Sequence, residues 1–452
     1  MTQKLERTLR MRDLIVICVG TVIGSGIFIV PATVLRQTGG DPGLAMGVWI
    51  FAGVLSLLGA LTYGELGAMQ PEAGGLYVYM RDGFGRFLAF LYGWTLFFVI
   101  ASGSVATLAA AFIGYLGTLI PLSTGAGKIA AILMIVVVMG INVYGTRSSA
   151  SVQTWMTTFK VAAIVALSLA LLAFGQPSDA AIAAAPPIQP PSSLLAGAGI
   201  AVIAVLWAYE GWQYVTFSAG ETIDAQRSFP LGITIGTTIL IGIYCLANLG
   251  YVAALGPDVA ATSDSIAATA AGAAFGPLAA KLVTIAVLVS IFSPANGLVL
   301  TAPRVFFAMA RDGVFFRQLA VIHPRFGTPA FAIIATCAWA MLLAATGTFE
   351  QLLTYVVFTG WIFYALGAAT IFVYRRRQPD AHRPFRVPGY PITPLLFVAA
   401  SSAIVLNALF TQTGRALIGI GVVLTGVPAY LVWRSRLRKL EQHVGRQGSA
   451  AP

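Results

Sequence analysis

Three ionisable side chains lie well inside long apolar runs: Glu65, Lys160 and Glu210. Such groups are costly in hydrocarbon, and each is a functional candidate by default. Glu65 sits in Tyr63-Gly64-Glu65-Leu66, near the end of its run, where it can reach the interface or bond loop backbone. Lys160 is ten residues into its run and must face protein or water. It either braces neighbouring helices as a fixed cation or exchanges a proton. Glu210 has three open readings: a partner for Lys160, a proton acceptor, or a cavity carboxylate that attracts a cationic substrate side chain.

The stretch Gly20-Thr21-Val22-Ile23-Gly24-Ser25-Gly26-Ile27-Phe28 puts two glycines around one serine in the middle of an apolar run. Glycine costs roughly 1 kcal/mol against alanine in a helix interior. A helix that opens there exposes N–H groups on one side and C=O groups on the other, and in lipid these must find partners in protein or in a watery cavity. The freed N–H groups suit a carboxylate, and the freed carbonyls suit an ammonium or a metal cation. A small zwitterion matches both at once. The competing reading is a close helix–helix contact. Leu206-Trp207-Ala208-Tyr209-Glu210-Gly211-Trp212 also carries a glycine mid-run, beside a carboxylate. Ile23, Gly24, Ser25, Gly26, Ile27, Trp207, Ala208, Tyr209, Glu210 and Gly211 are therefore the candidate binding residues.

Ser293-Pro294-Ala295-Asn296-Gly297 adds a proline kink, with Ser293 or Asn296 able to reach the first run; an ordinary kink explains it equally well. The aromatics Phe28, Trp207, Tyr209, Trp212, Tyr355 and Trp361 could gate a cavity or simply fill core. Trp207 stands out because it flanks the second break. Cys18, Cys245 and Cys337 lack metal-ligand spacing and read as buried small hydrophobes. His323, His382 and His443 fall in polar loops or the tail. No phosphate-binding loop and no catalytic cluster is present, so the chain reads neither as an enzyme nor as a user of a metal or other cofactor.

These residues need a membrane to organise them. Of 452 residues 58% are hydrophobic and 10% charged, against about 25% charged in a soluble domain. Many runs reach the ~18 residues that cross a bilayer. We expect an all-α polytopic protein of about twelve spans. The first five are near 13–37, 43–69, 86–116, 127–145 and 151–174. The next five are near 196–221, 230–255, 278–308, 328–346 and 351–374, and the last two near 393–412 and 415–435. Of the 27 Lys and Arg, 22 fall on the side of the N-terminus and four on the other, which puts both ends in the cytoplasm. That placement reads as topology and not as nucleic-acid binding. Spans one and six, each glycine-interrupted, hold corresponding positions in a five-plus-five inverted repeat, a pointer to a transporter's binding site. The implied organisation is a tail (1–12), a first repeat (13–174), an outer loop (175–193) and a second repeat (194–376). A cytoplasmic loop (377–392), two further spans (393–435) and a second tail (436–452) follow.

Together these motifs resemble the amino acid–polyamine–organocation superfamily of amino acid permeases, nearest its L-type amino acid transporter branch. Val22 to Phe28 is similar to its first-span signature, and Tyr63-Gly64-Glu65-Leu66 through Tyr79 to its second span and following loop. Ala208 to Trp212 is similar to its sixth-span break, and Pro303 to Gly313 to the loop after span eight. The resemblance implies a leucine-transporter-type fold. It places a substrate carboxylate on the amides of Ser25, Gly26 and Ile27, and the ammonium on carbonyls near Ile23 and of Trp207, Ala208 and Glu210. Lys160 stands where sodium-coupled relatives bind a cation, which implies sodium independence. In the implied cycle, spans one, two, six and seven rock against three, four, eight and nine.

The resulting expectation is a secondary amino acid transporter of the cell membrane, working by exchange or proton-coupled symport. A polyamine or organic-cation carrier is the alternative, with a sensor or channel further off. Glu210 and Pro294 depart from the branch's pattern, and Glu210 puts a neutral-only substrate range in doubt. The loop 117–126 has no cysteine for a disulfide-linked ancillary subunit, so a monomer or weak homo-oligomer is expected.

Overall fold

A computed structural model describes residues 7–189, 191, 193–411 and 413–448. Lys4 lies outside the described residues, as do the side chains of Arg147, Arg436, Arg438, Lys439 and Arg446. The described chain is helical, and the only β pairing among these residues is an isolated bridge between Leu9 and Thr222.

The first span is broken into α1 (Met11–Val22) and α2 (Gly26–Gln37), bent by 51°. α3 (Pro42–Met69) follows; its start is fixed by Asp41, which accepts from the N–H groups of Gly43 and Leu44, with Pro42 in the first turn. A glycine turn leads into the short α4 (Leu76–Phe84). Next come α5 (Arg86–Thr95), a π-helical segment Leu96–Ala101 and α6 (Ser102–Leu119), which together make one span. α7 (Thr124–Tyr144) and α8 (Thr146–Phe174) close the first half, and α9 (Asp179–Ala184) lies in the loop that follows.

The second half opens with another broken element: α10 (Leu194–Ala208) and the 3-10 segment Trp212–Glu221. α11 (Ala225–Thr262) is kinked at Gly256, and α12 (Ile266–Phe275) packs beside it. α13 (Pro277–Thr301) continues through α14 (Pro303–Arg311) to a short 3-10 turn, Arg317–Ala320. α15 (Ala330–Thr346), α16 (Phe349–Arg377), α17 (Ile392–Thr411) and α18 (Thr413–Gly448) complete the chain.

Among the described residues nine helices are long and apolar enough to cross a bilayer, and the bent α1–α2 pair makes a tenth span. α15, at 17 residues, and the two pieces of the interrupted 194–221 region, at 15 and 10 residues, are each shorter than the helices counted, so twelve remains an expectation. The predicted boundaries agree with the helices to within a few residues for most spans. The long helices expose apolar side chains outward, among them Leu133, Trp155 and Leu282. This is the pattern of a protein solvated by lipid.

The two broken elements lie inside the bundle. α1 packs on α8, α11 and α13, while α2 packs on α10 and α11. Glu65, at the end of α3, is fully buried and structural: Arg375 of α16 donates to both its oxygens at 2.9 and 2.7 Å, and the Val387 N–H donates at 2.7 Å. This cluster ties α3 to α16 and to the loop before α17.

Candidate functional site

The break in the first span comes from Ile23, whose ψ of 99° ends α1, and from Ser25, which opens α2 in a second direction. Among the described residues no acceptor is bonded to the N–H of Gly24, Ser25, Gly26 or Ile27. The hydroxyls of Thr21 and Ser25 are likewise buried without a partner. On the other side of the break, the Lys160 ammonium donates to the Gly20 carbonyl at 2.7 Å and to the Ile23 carbonyl. These bonds have the geometry of a brace, and no ion pair joins Lys160 to Glu210 among the described residues.

The second break holds Tyr209 and Glu210 in non-helical geometry and turns at Gly211, whose φ is +128°. A Cβ on Gly211 would lie 2.8 Å from the Thr21 carbonyl, and one on Gly26 would lie 2.6 Å from Ala208 Cα. Glycine thus serves both readings of the sequence, opening the helices and letting the two breaks touch.

Between them lies a tight hollow of about 20 Å³, room for about one ordered water. Of the ten candidate residues, Gly24, Ser25, Gly26, Trp207 and Glu210 line it. The other five candidates do not. The Ile23 carbonyl faces Lys160, and Ile27 is buried in core. Ala208 packs on Gly26 and accepts at its carbonyl from the Tyr244 hydroxyl at 2.8 Å. Tyr209 stacks among Trp49 and Tyr244, and Gly211 abuts α1. Thr21, Val22, Ser104, Leu108, Tyr214, Pro294 and Leu298 complete the lining, and none of them was among the candidate binding residues. Ser104 had a signal, a serine in an apolar run, but many such serines only bond their own helix.

Glu210 is buried in a cage of neutral donors. Tyr364 and Gln213 donate to Oε1 at 2.5 Å each, and Tyr214 at 3.4 Å. All three converge on one oxygen, and none of these bonds reaches Oε2. Of the aromatics singled out, only Trp207 lines the hollow. Phe28 lies near Lys160, Trp212 packs on Tyr63 and Phe397, and Trp361 packs on Phe397 and Tyr364. Tyr355 lines a separate cavity.

Ser293 does reach the first span: its hydroxyl donates to the Gly20 carbonyl at 3.2 Å and accepts from Gln153 at 3.2 Å. Asn296, by contrast, does not. Its amide bonds Asn142, Ser149 and Gln153 on α7 and α8, because two residues past Pro294 its side chain faces those helices. The result is a buried, hydrogen-bonded network behind α1.

The amino acid permease family model matches residues 9–430, nearly the whole of the described bundle. The chain belongs to the amino acid permease family. The permease is 31% identical over 436 residues to the serine/threonine exchanger SteT of Bacillus subtilis (strain 168), covering 96% of this chain and 98% of that protein. It is 33% identical over 433 residues to the large neutral amino acids transporter small subunit 2 of Mus musculus, covering 92% and 79%. It is 31% identical over 445 residues to the human cystine/glutamate transporter, covering 96% and 87%. The permease is thus a helical, multi-pass membrane protein of the amino acid–polyamine–organocation superfamily near its L-type branch, and it transports amino acids.

Proposed function

We infer that the permease is a sodium-independent exchanger of small amino acids in the cell membrane, with both termini cytoplasmic. One observation carries this: Gly24, Ser25 and Gly26, whose amides are unbonded among the described residues, line a hollow whose other wall holds Glu210. The amides of Ser25, Gly26 and Ile27 take the substrate carboxylate. The ammonium goes to Glu210 and to the carbonyls of Trp207, Ala208 and Glu210, since a carbonyl engaged once still has a second lone pair. Lys160 occupies the carbonyls of Gly20 and Ile23 with its own charge, which leaves a sodium ion no reason to bind there. The tightness of the hollow favours small side chains, in keeping with the name of the Bacillus relative. The site is built from two halves of an inverted repeat, and the chain acts without a disulfide-linked ancillary subunit.

Proton-coupled symport is the second reading, because no cation pairs with buried Glu210 among the described residues. The test is uptake of radiolabelled neutral, basic and acidic amino acids by proteoliposomes, with and without internal substrate, a pH gradient or a sodium gradient. The expected result is uptake of small neutral amino acids that needs internal substrate. Uptake driven by sodium alone refutes the proposal. Uptake driven by a pH gradient without internal substrate replaces exchange by symport.

A further inference from the structure

Away from the hollow, a cavity of about 300 Å³ opens between the π-helical segment, α15, α16 and α18. Its walls are the rings of Trp94, Phe98, Trp339 and Tyr355 with the aliphatic chains of Leu343 and Val422. The indole N–H groups that could have held water are already spent: Trp94 donates to the Thr425 hydroxyl at 3.0 Å and Trp339 to the Phe98 carbonyl at 2.9 Å. The Thr425 hydroxyl itself donates to the Val422 carbonyl at 2.6 Å. A water needs two to four polar partners, and apolar cavities without them stay dry. The rim is formed by exposed Ile418 on the outer face of α18, so the cavity opens sideways toward the hydrocarbon around the bundle. One helical turn before Ile418, Arg415 marks the end of the apolar part of α18 and donates to the Thr354 hydroxyl at 3.3 Å, above the α16–α18 cleft. Arginine has five donors in a fork that matches phosphate.

We propose that this cavity is a phospholipid site, with one acyl chain among Trp94, Phe98, Trp339 and Val422 and the phosphate at Arg415. The chain would lie against the π-helical turn, and Gly103 on the cavity wall is followed by Ser104, which lines the substrate hollow on the other face of α6. π-helical segments often mark functional sites. The lipid therefore bears on the helix that shapes one wall of the binding site.

The test reads bound lipid and not transport, so its failure is distinct from failure of the exchanger reading. The full chain is placed in nanodiscs containing phosphatidylglycerol with a diazirine near the end of one acyl chain, illuminated, and mapped by peptide mass spectrometry. Labelling is expected to concentrate on residues 339–355 and 418–425, at least fivefold above the lipid-facing surface of α7. Leu343→Trp and Val422→Trp, made singly, should each cut that labelling about threefold or more. Arg415→Gln should cut it for the phospholipid but leave it for a diazirine fatty alcohol, which has no phosphate. Even labelling of all outer faces overturns the proposal on the unaltered protein alone. Loss of neither probe in the tryptophan variants overturns the chain's placement, and equal labelling by Arg415→Gln overturns the phosphate's.

Discussion

Lys160 and Glu210 are each mid-membrane charges, yet the structure uses them differently. Lys160 caps the two carbonyls that the break in the first span leaves behind, Gly20 and Ile23. Hydrogen bonds to a charged group contribute about 1.5–3 kcal/mol each, so Lys160→Met should lower exchange at least tenfold in proteoliposomes and lower the melting temperature in detergent. Unchanged exchange with normal stability would remove the brace. Among the described residues Glu210 has neutral partners only, and the proposed role of its charge is to act on the hollow. Glu210→Gln keeps an acceptor for Tyr364 and removes that charge. Losing about 1.4 kcal/mol of attraction raises KM tenfold, and a rise of that order is expected for amino acids but not for substrate analogues lacking the ammonium. Competition assays against labelled substrate decide this. The contact of Lys160 with the first break was legible because a lone cation and a glycine break in lipid need each other. The cage was not: Tyr364 lies 154 residues from Glu210, and no local spacing announces it.

At the scale of elements, the breaks were readable from Gly24-Ser25-Gly26 and from Gly211, because glycine in the middle of a bilayer span asks for an explanation. Their consequences were less so. That residues 212–221 wind as a 3-10 helix, or that 96–101 form a π-helical segment, depends on contacts with several other helices. The same holds for Asn296, whose proline-containing helix pointed either way until its neighbours were placed. Gly26 and Gly24 now predict opposite behaviour. A methyl on Gly26 meets Ala208 Cα, a backbone atom, at 2.6 Å. Gly26→Ala should therefore push the two broken spans apart, cost about 1–3 kcal/mol of stability and abolish exchange. A methyl on Gly24 meets only Pro294 Cγ at 3.1 Å and Leu108 Cδ2 at 3.3 Å, both lining the hollow. Gly24→Ala should fold normally and narrow the substrate range toward the smallest amino acids. Thermal unfolding and a substrate panel on the two variants separate these outcomes.

At the scale of the whole molecule, the N-terminal end of the bundle is closed by contacts that join both broken spans. The Thr8 and Leu9 N–H groups both donate to the Glu221 carbonyl at 2.9 Å, and the Ile223 N–H donates to the Leu9 carbonyl at 2.7 Å. α1 begins two residues after Leu9, so the N-terminal half of the first span is strapped directly to the end of the 3-10 segment. The Glu221 side chain in turn accepts from Arg304 at 2.9 Å, with both side chains buried, and this pins the 3-10 segment to α14. Opening toward this end must break the Arg304 contact or carry α14 along. Removing one partner of a buried pair costs about 3–5 kcal/mol, because the other charge is left uncompensated. Arg304→Met should therefore weaken the closed arrangement more than the fold as a whole. Cys18 of α1, fully buried when the end is shut, is a built-in reporter. In a Cys245→Ser, Cys337→Ser background, its alkylation by a water-soluble maleimide should speed up at least fivefold in Arg304→Met, while saturating substrate slows it again by favouring the closed hollow. Equal rates in the two proteins would mean that the strap and the ion pair do not hold this end shut.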